Sequence, residues 1–338
     1  MRRPNLRVET NALTTRILFD GRRASGVQIF QRGAFRSLRA ARGVILCAGA
    51  VNSPQLLQLS GIGPRGLLEE MGIPLVADLQ GVGANLQDHF VIPVTFRLKQ
   101  GVQSLNEQTR GWRLAGEALR YAVSRTGLFA MSAAHVAAFC KSSPELEEPD
   151  IQFHIMPATT DMEKMARQKM ELERSPGLTI APCQLRPLSR GHVRIRSPEP
   201  TQHPSIAPNY LADPADQRIA ELGIRWARRI AAQSPLNELV AHELMPGAEK
   251  DRDEELLAHA RGLGTTIYHP VGTCAMGRSP SAVVDSRLCV HGIDGLRVVD
   301  ASIMPRLVSG NTNAATIMIA EKAADMIVED WAAGSRRS

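Results

Sequence analysis

Hydrophobic and polar positions divide this chain into stretches of different period. In 5–10, 15–19 and 26–30 apolar residues alternate with polar ones or run together, and Asp20-Gly21 between the last two is a hairpin signal. The stretch 42–46 is a compact apolar run that leads into Cys47, Ala48, Gly49 and Ala50, so 5–50 reads as strand-rich. The stretch 49–63, GAVNSPQLLQLSGIG, then predicts a strand-to-helix turn free of bulk. Ser53 is its expected N-cap, Pro54 its first helical residue, Leu56, Leu57 and Leu59 its buried side, and Gly61 its stop.

From Phe90 the pattern changes. The stretch 91–98 reads as strand and 112–124 has helical spacing; 136–140, 151–156, 178–181 and 191–195 are short apolar or alternating runs between Pro-rich and charged segments, which predicts an antiparallel sheet. Helical spacing returns over 213–232, with Trp226 as a core position, and over 253–261. The last ordered stretch, 296–322, reads LRVVDASIMPRLVSGNTNAATIMIAEK: an apolar strand ended by Asp300, a loop punctuated by Pro305 and Gly310, and a long helix from about Asn313.

That order gives an acidic residue at the carboxyl end of a buried strand followed by a helix mouth bearing Asn311, Thr312 and Asn313, the place where α/β proteins hold a nucleotide cofactor. The same residues also serve as plain caps and turns. Upstream, TIYHPVGTCAMG over 266–277 sets His269 among small residues, where a flat ligand can approach the backbone and an imidazole can take a proton near neutral pH. The two stretches are expected to face one cavity.

Composition narrows the picture. The chain has 338 residues, 43% hydrophobic and 22% charged, with a formal net charge of +6. That fits two globular domains with a sizeable core. Its arginines are spread without a basic block or interleaved aromatics, which points away from nucleic acid. Cys47, Cys140, Cys183, Cys274 and Cys289 show neither CxxC nor metal spacing, so no disulfide framework and no metal site is expected, and Cys274 reads as a small buried residue. With no apolar leader core and no membrane-length window, the expected location is cytoplasmic or peripheral to the membrane.

Gly49, Ala50, Ser53, Pro54, Leu56, Leu57, Ser60, Gly61, Ile62 and Gly63 match position by position a signature of the glucose-methanol-choline family of flavin oxidoreductases. The 266–277 and 296–322 stretches are similar to that family's two active-site segments, and 3–27 is similar to the segment that precedes the signature in bacterial choline dehydrogenase-like members. Residues 81–89, GVGANLQDH, resemble the segment leading out of the flavin domain; without the resemblance they read as a surface loop with an Asn/Asp turn. A GxGxxG after a strand, which holds the ADP half of the cofactor in such enzymes, does not occur here.

The resemblance implies an α/β (α+β) chain. Residues 1–90 are then the carboxyl-terminal part of the first segment of an incomplete, Rossmann-like FAD-binding domain. Residues 91–262 form a substrate domain with an antiparallel sheet flanked by helices, and 263–338 the final FAD-domain segment with the active-site residues. It implies FAD as cofactor, with Thr14 beside the adenine, Cys47, Ala48 and Gly49 near the ribityl and diphosphate, Asp300 and Ala301 along the same chain, and Tyr268, Asn311, Thr312 and Asn313 near the flavin.

The activity implied is oxidation of a primary alcohol to an aldehyde. His269 matches the catalytic base, and Asn313 falls where the family carries a second His or an Asn facing the substrate oxygen. His154 matches a cavity-lining His, although its strand position could equally be half-exposed. His135 stands where choline-oxidising members carry a Glu, and an imidazole suits a quaternary ammonium badly, so a neutral alcohol is expected. His192, His203, His242 and His259 read as surface residues. The expected partners are the alcohol and a membrane-bound or soluble electron acceptor. The rival expectation is a non-catalytic remnant that does not hold FAD.

Overall fold

A computed structural model describes residues 3–132, 134–161 and 171–335, and the chain divides into two compact units. The first comprises Met1–Asp88, Ser189–Tyr210 and Tyr268–Ser338, the second His89–Leu188 and Leu211–Ile267. The division falls at Asp88/His89 and Ile267/Tyr268, and Ser189–Tyr210 groups with the first unit. The reason is side-chain hydrogen bonding that no periodicity reveals. The buried Gln58 amide donates to the carbonyls of Val82 and Val193 at 3.2 and 3.0 Å and accepts from the Ile195 amide at 2.8 Å.

In the first unit the expected hairpin forms between Leu13–Asp20 and Arg23–Gln31, and Ala34–Arg39 adds a third antiparallel strand. The segment 5–10 forms no strand, a correction to the strand-rich reading. Val44–Leu46 pairs in parallel with Leu296–Val298, which brings the carboxyl ends of both strands to one place. The helix after the first of them runs Gly49–Leu59, starting earlier than Ser53, so Pro54 lies inside it. It ends at Gly61, whose φ of +83° and closeness to the Pro74 carbonyl, 2.3 Å from where a Cβ would stand, require glycine.

A core of Leu46, Leu57, Val271, Val284, Leu296, Val298 and Ile303 fills the space beneath these elements. The last helix, Thr312–Ser335, adds Ile319, Ala323 and Ile327, one face at a spacing of four.

The second unit carries an antiparallel sheet in the order Val240–Met245, Val94–Leu98, Gly177–Gln184, Ile151–Met156, Val136–Cys140, with Phe90–Val91 pairing both Gly177–Gln184 and Thr265–Thr266. Helix Pro214–Ala231 lies on it through Ala220, Ile224 and Ala227, capped by Asp213, whose Oδ1 accepts from the Ala215 amide at 2.8 Å. Gly223 allows the close approach to Pro182 on Gly177–Gln184. Trp226 is half-buried under the Arg229 guanidinium and is not a core residue. Helix Asp253–Leu263 packs on Pro214–Ala231. No helix of the described residues is long and apolar enough to cross a membrane.

Candidate functional site

Strand Val44–Leu46 ends at the exposed Cys47 and Ala48, and Gly49, with φ of +79°, turns the chain into the helix. Beside it, Asp300 is buried at the end of the partner strand. Its Oδ2 accepts from the Gly49 amide at 2.9 Å and from the Ser53 hydroxyl at 2.5 Å, and its Oδ1 accepts from the Ser302 amide at 2.8 Å. The Ser53 hydroxyl in turn accepts from the Ala48 amide at 3.1 Å. Ser53 is therefore no N-cap; it and Asp300 fix the turn at the strand end, and the Asp300 carboxylate faces this turn.

The 266–277 and 296–322 stretches run side by side. Amides of Gly272, Cys274 and Met276 donate to the carbonyls of Ala301, Ser302 and Ile303 at 3.4, 2.9 and 2.8 Å, and the buried Thr273 hydroxyl donates to the Ala50 carbonyl at 2.6 Å. Burial pushes the Cys274 thiol well above its ordinary range, which suits a structural residue and not a nucleophile.

The 81–89 stretch completes the arrangement and is not a free surface loop. The Gly83 amide donates to Thr273, Asn85 Nδ2 to Gly272 and Pro305, and Gln87 Nε2 to Pro305, while Gln87 Oε1 accepts from the Leu307 amide. Gly272 has φ of +93°, and a Cβ there would stand 2.5 Å from the Asn85 carbonyl.

His269 leaves this arrangement on a short, polar tether. Asp88, buried, accepts from the His269 amide through Oδ1 at 2.9 Å and from the Tyr210 hydroxyl through Oδ2 at 2.5 Å. The imidazole is half-buried, and desolvation holds its pKa below the ordinary histidine value against the opposing pull of Asp88. Desolvation thus favours the neutral imidazole, the form that can accept a proton. Its neighbour Tyr268 has φ of +62° and is 81% exposed. Sequence reasoning missed Asp88 and Tyr210; an acid inside a QDH turn reads as solvated, and nothing local announces its burial.

Next to the strand end a cleft of about 870 Å³ is lined by Leu13, Thr14, Val44, Cys47, Ala48 and Gln55, among others. Of the residues expected to hold FAD, Thr14, Cys47 and Ala48 line it, whereas Gly49, Asp300 and Ala301 are not among its lining residues. Volume, an apolar floor and exposed backbone at the end of a parallel strand fit one wall of a dinucleotide site. At the mouth of the last helix Asn311 and Asn313 are exposed and Thr312 is buried. Thr312 and Asn313 are already helical, so Asn313 is a first-turn residue and not the cap.

The second unit carries the other two candidates. His154 is half-buried on Ile151–Met156 opposite Ala137, and the His135 amide donates to the Ile155 carbonyl at 3.1 Å. His135 lies just before Val136–Cys140, outside the paired register. His259, expected at the surface, is half-buried instead, with Nε2 at 2.8 Å from the Pro93 carbonyl.

Comparison with known proteins gives a consistent picture. Residues 1–91 and 187–320 match amino- and carboxyl-terminal family models, both described as GMC oxidoreductase. The oxygen-dependent choline dehydrogenase of Burkholderia cenocepacia strain HI2424 is 43% identical over 325 residues, 96% of this chain and 56% of that protein. Its counterpart in Paraburkholderia xenovorans strain LB400 is 42% identical over the same share of this chain and 57% of its own. This chain thus spans little more than half the length of these relatives. Among solved structures, a formate oxidase of Aspergillus oryzae RIB40 studied for FAD modification superposes with a TM-score of 0.89 at 26% identity, over 97% of this chain and 62% of that one. An FAD-dependent oxidoreductase from Chaetomium thermophilum gives 0.85 at 27% identity over the same shares.

Proposed function

Because the chain belongs to the GMC oxidoreductase family, we propose that it carries the base and one wall of the cofactor site of an FAD-dependent alcohol oxidation, a primary alcohol giving an aldehyde. The observation that supports this most is the half-buried imidazole of His269, whose backbone amide is tethered to the buried Asp88 beside the paired 266–277 and 296–322 stretches. FAD, when bound, supplies the acceptor for the hydride of the carbinol carbon. Thr14, Cys47 and Ala48 would line it, and the Asp300–Ser53 pair would keep the strand end in shape for it.

The chain's own residues do the remaining work. His269 takes the hydroxyl proton onto its imidazole, which raises electron density on the oxygen and lets hydride leave the adjacent carbon. Asn313, exposed and unable to act as a base, donates a hydrogen bond to that oxygen as its charge develops. His154 orients the alcohol, and His135 is the second substrate-side residue of the second unit. An imidazole in place of a carboxylate gives a quaternary ammonium nothing to pair with, so the substrate is a neutral primary alcohol, aliphatic or aromatic, and not choline. The electron acceptor that would complete the turnover is oxygen or a membrane-bound or soluble carrier.

A second reading is favoured by one observation. Val44–Leu46 and Leu296–Val298 form a sheet of only two strands, and Ile45 is exposed. On that reading the chain alone does not retain FAD and is catalytically silent. Both are tested by the visible absorption of the purified chain after incubation with FAD. Flavin bands that stay with the protein and bleach with benzyl alcohol but not with choline support the first; a colourless protein supports the second.

A further inference from the structure

Helix Gly111–Ser124 in the second unit is built inside out. A surface helix turns its apolar stripe to the core, yet no residue of this one is buried. Trp112, Leu119 and Val123, spaced i, i+7 and i+11 and so on one stripe, are 82, 66 and 80% exposed. The half-buried residues on the opposite side are Leu114, Glu117 and Tyr121. The 3-10 turn Leu128–Ala130 that follows extends the apolar surface with Phe129 and, just after it, Met131, both about half exposed.

The charges beside the stripe are of one sign. Arg113 and Arg120 border it along one edge, and the Arg113 guanidinium lies 5.9 Å from the centre of the Trp112 ring. Glu117, the helix's one acid, is turned inward, where Oε2 accepts from the Leu128 amide at 2.7 Å and the carboxylate pairs with Arg120 at 3.6 Å. An outward stripe of Trp, Leu and Val bordered by arginines is complementary to a surface that is apolar below and anionic above. An apolar groove on a protein would take the stripe but give the arginines no reason to border it.

We propose that Gly111–Ser124 and the turn after it form a membrane-docking face that lies in the headgroup region of an anionic bilayer. Fourteen residues make a helix of about 21 Å, too short to span the roughly 30 Å hydrocarbon core but suited to lying along its surface. The inference is independent of the flavin chemistry and concerns only where the protein works.

The test is co-sedimentation of the chain with vesicles of phosphatidylcholine alone and of phosphatidylcholine mixed equally with phosphatidylglycerol. Binding to the mixed vesicles is expected, weakened by salt. Leu119→Glu and Val123→Glu each should lower the partition coefficient about tenfold or more, and Arg113→Gln with Arg120→Gln about fivefold per charge. Since the replaced side chains are exposed, circular dichroism should show the same fold in every variant. Emission of Trp112 should shift to the blue with mixed vesicles, a shift that Trp112→Phe abolishes. Absence of wild-type binding to the mixed vesicles, or binding unchanged in both Glu variants, overturns the proposal. So does a concentration-dependent dimer that Leu119→Glu dissociates in the absence of vesicle binding, which would make the face an interface between two copies.

Discussion

Asp300 and Asn313 belong to one sequence motif and differ in what the fold does with them. The first is buried with both carboxylate oxygens engaged by Gly49, Ser53 and Ser302; the second is exposed in the first turn of the last helix. Asp88 and His269 repeat the contrast, a buried carboxylate holding the backbone of a half-buried imidazole. A motif of this kind thus mixes buried residues that hold the backbone with exposed ones, and side-chain chemistry alone does not sort them. Burial and hydrogen-bond partners do.

Substitutions can break the contrast, and the largest effect on stability is expected at Asp300. Asp300→Ala leaves the Gly49 and Ser302 amides and the Ser53 hydroxyl without their acceptor, and should cost about 3 kcal/mol or more in chemical denaturation. Thr273→Val removes a single buried hydrogen bond to Ala50 and should cost about 1–2 kcal/mol by the same measurement. Asn313→Ala should stay within about 0.5 kcal/mol, as exposed substitutions do, while slowing alcohol-dependent flavin reduction about tenfold or more. A stability loss at Asn313 equal to that at Asp300 would erase the distinction.

Asp88 sharpens it through pH. Desolvation lowers the His269 pKa, and the Asp88 charge pulls it back up. In the proposed role the neutral imidazole is the base, so activity is expected to be lost as pH falls through this lowered pKa. Asp88→Asn keeps a carbonyl oxygen for the His269 amide but removes the charge. The acid limb of the rate profile should therefore move to lower pH, and an upward move would contradict the assignment.

Much of the second unit was legible from periodicity. Val136–Cys140 and Ile151–Met156 lie where alternation put them, and Gly111–Ser124 where helical spacing did. Ala34–Arg39 was not legible, because AFRSLR is exposed at nearly every position and presents no buried face. Helical spacing also cannot say which way a stripe turns, and Gly111–Ser124 turns its apolar side out. In the site, the motifs carried the small residues and His269. The helix start at Gly49, the burial of Asp88 and the grouping of Ser189–Tyr210 with the first unit depend on side chains meeting across long stretches of chain, as Ser53 meets Asp300 and Gln58 meets Val193. Such pairings leave no local pattern.

His269 is proposed as the proton acceptor on a frame that other residues hold. This role is tested most directly by the rate at which a primary alcohol bleaches the FAD-loaded chain, compared between wild type and His269→Ala at equal cofactor content. The expected result is a fall of about a hundredfold or more with FAD affinity unchanged. An unaltered rate would contradict it.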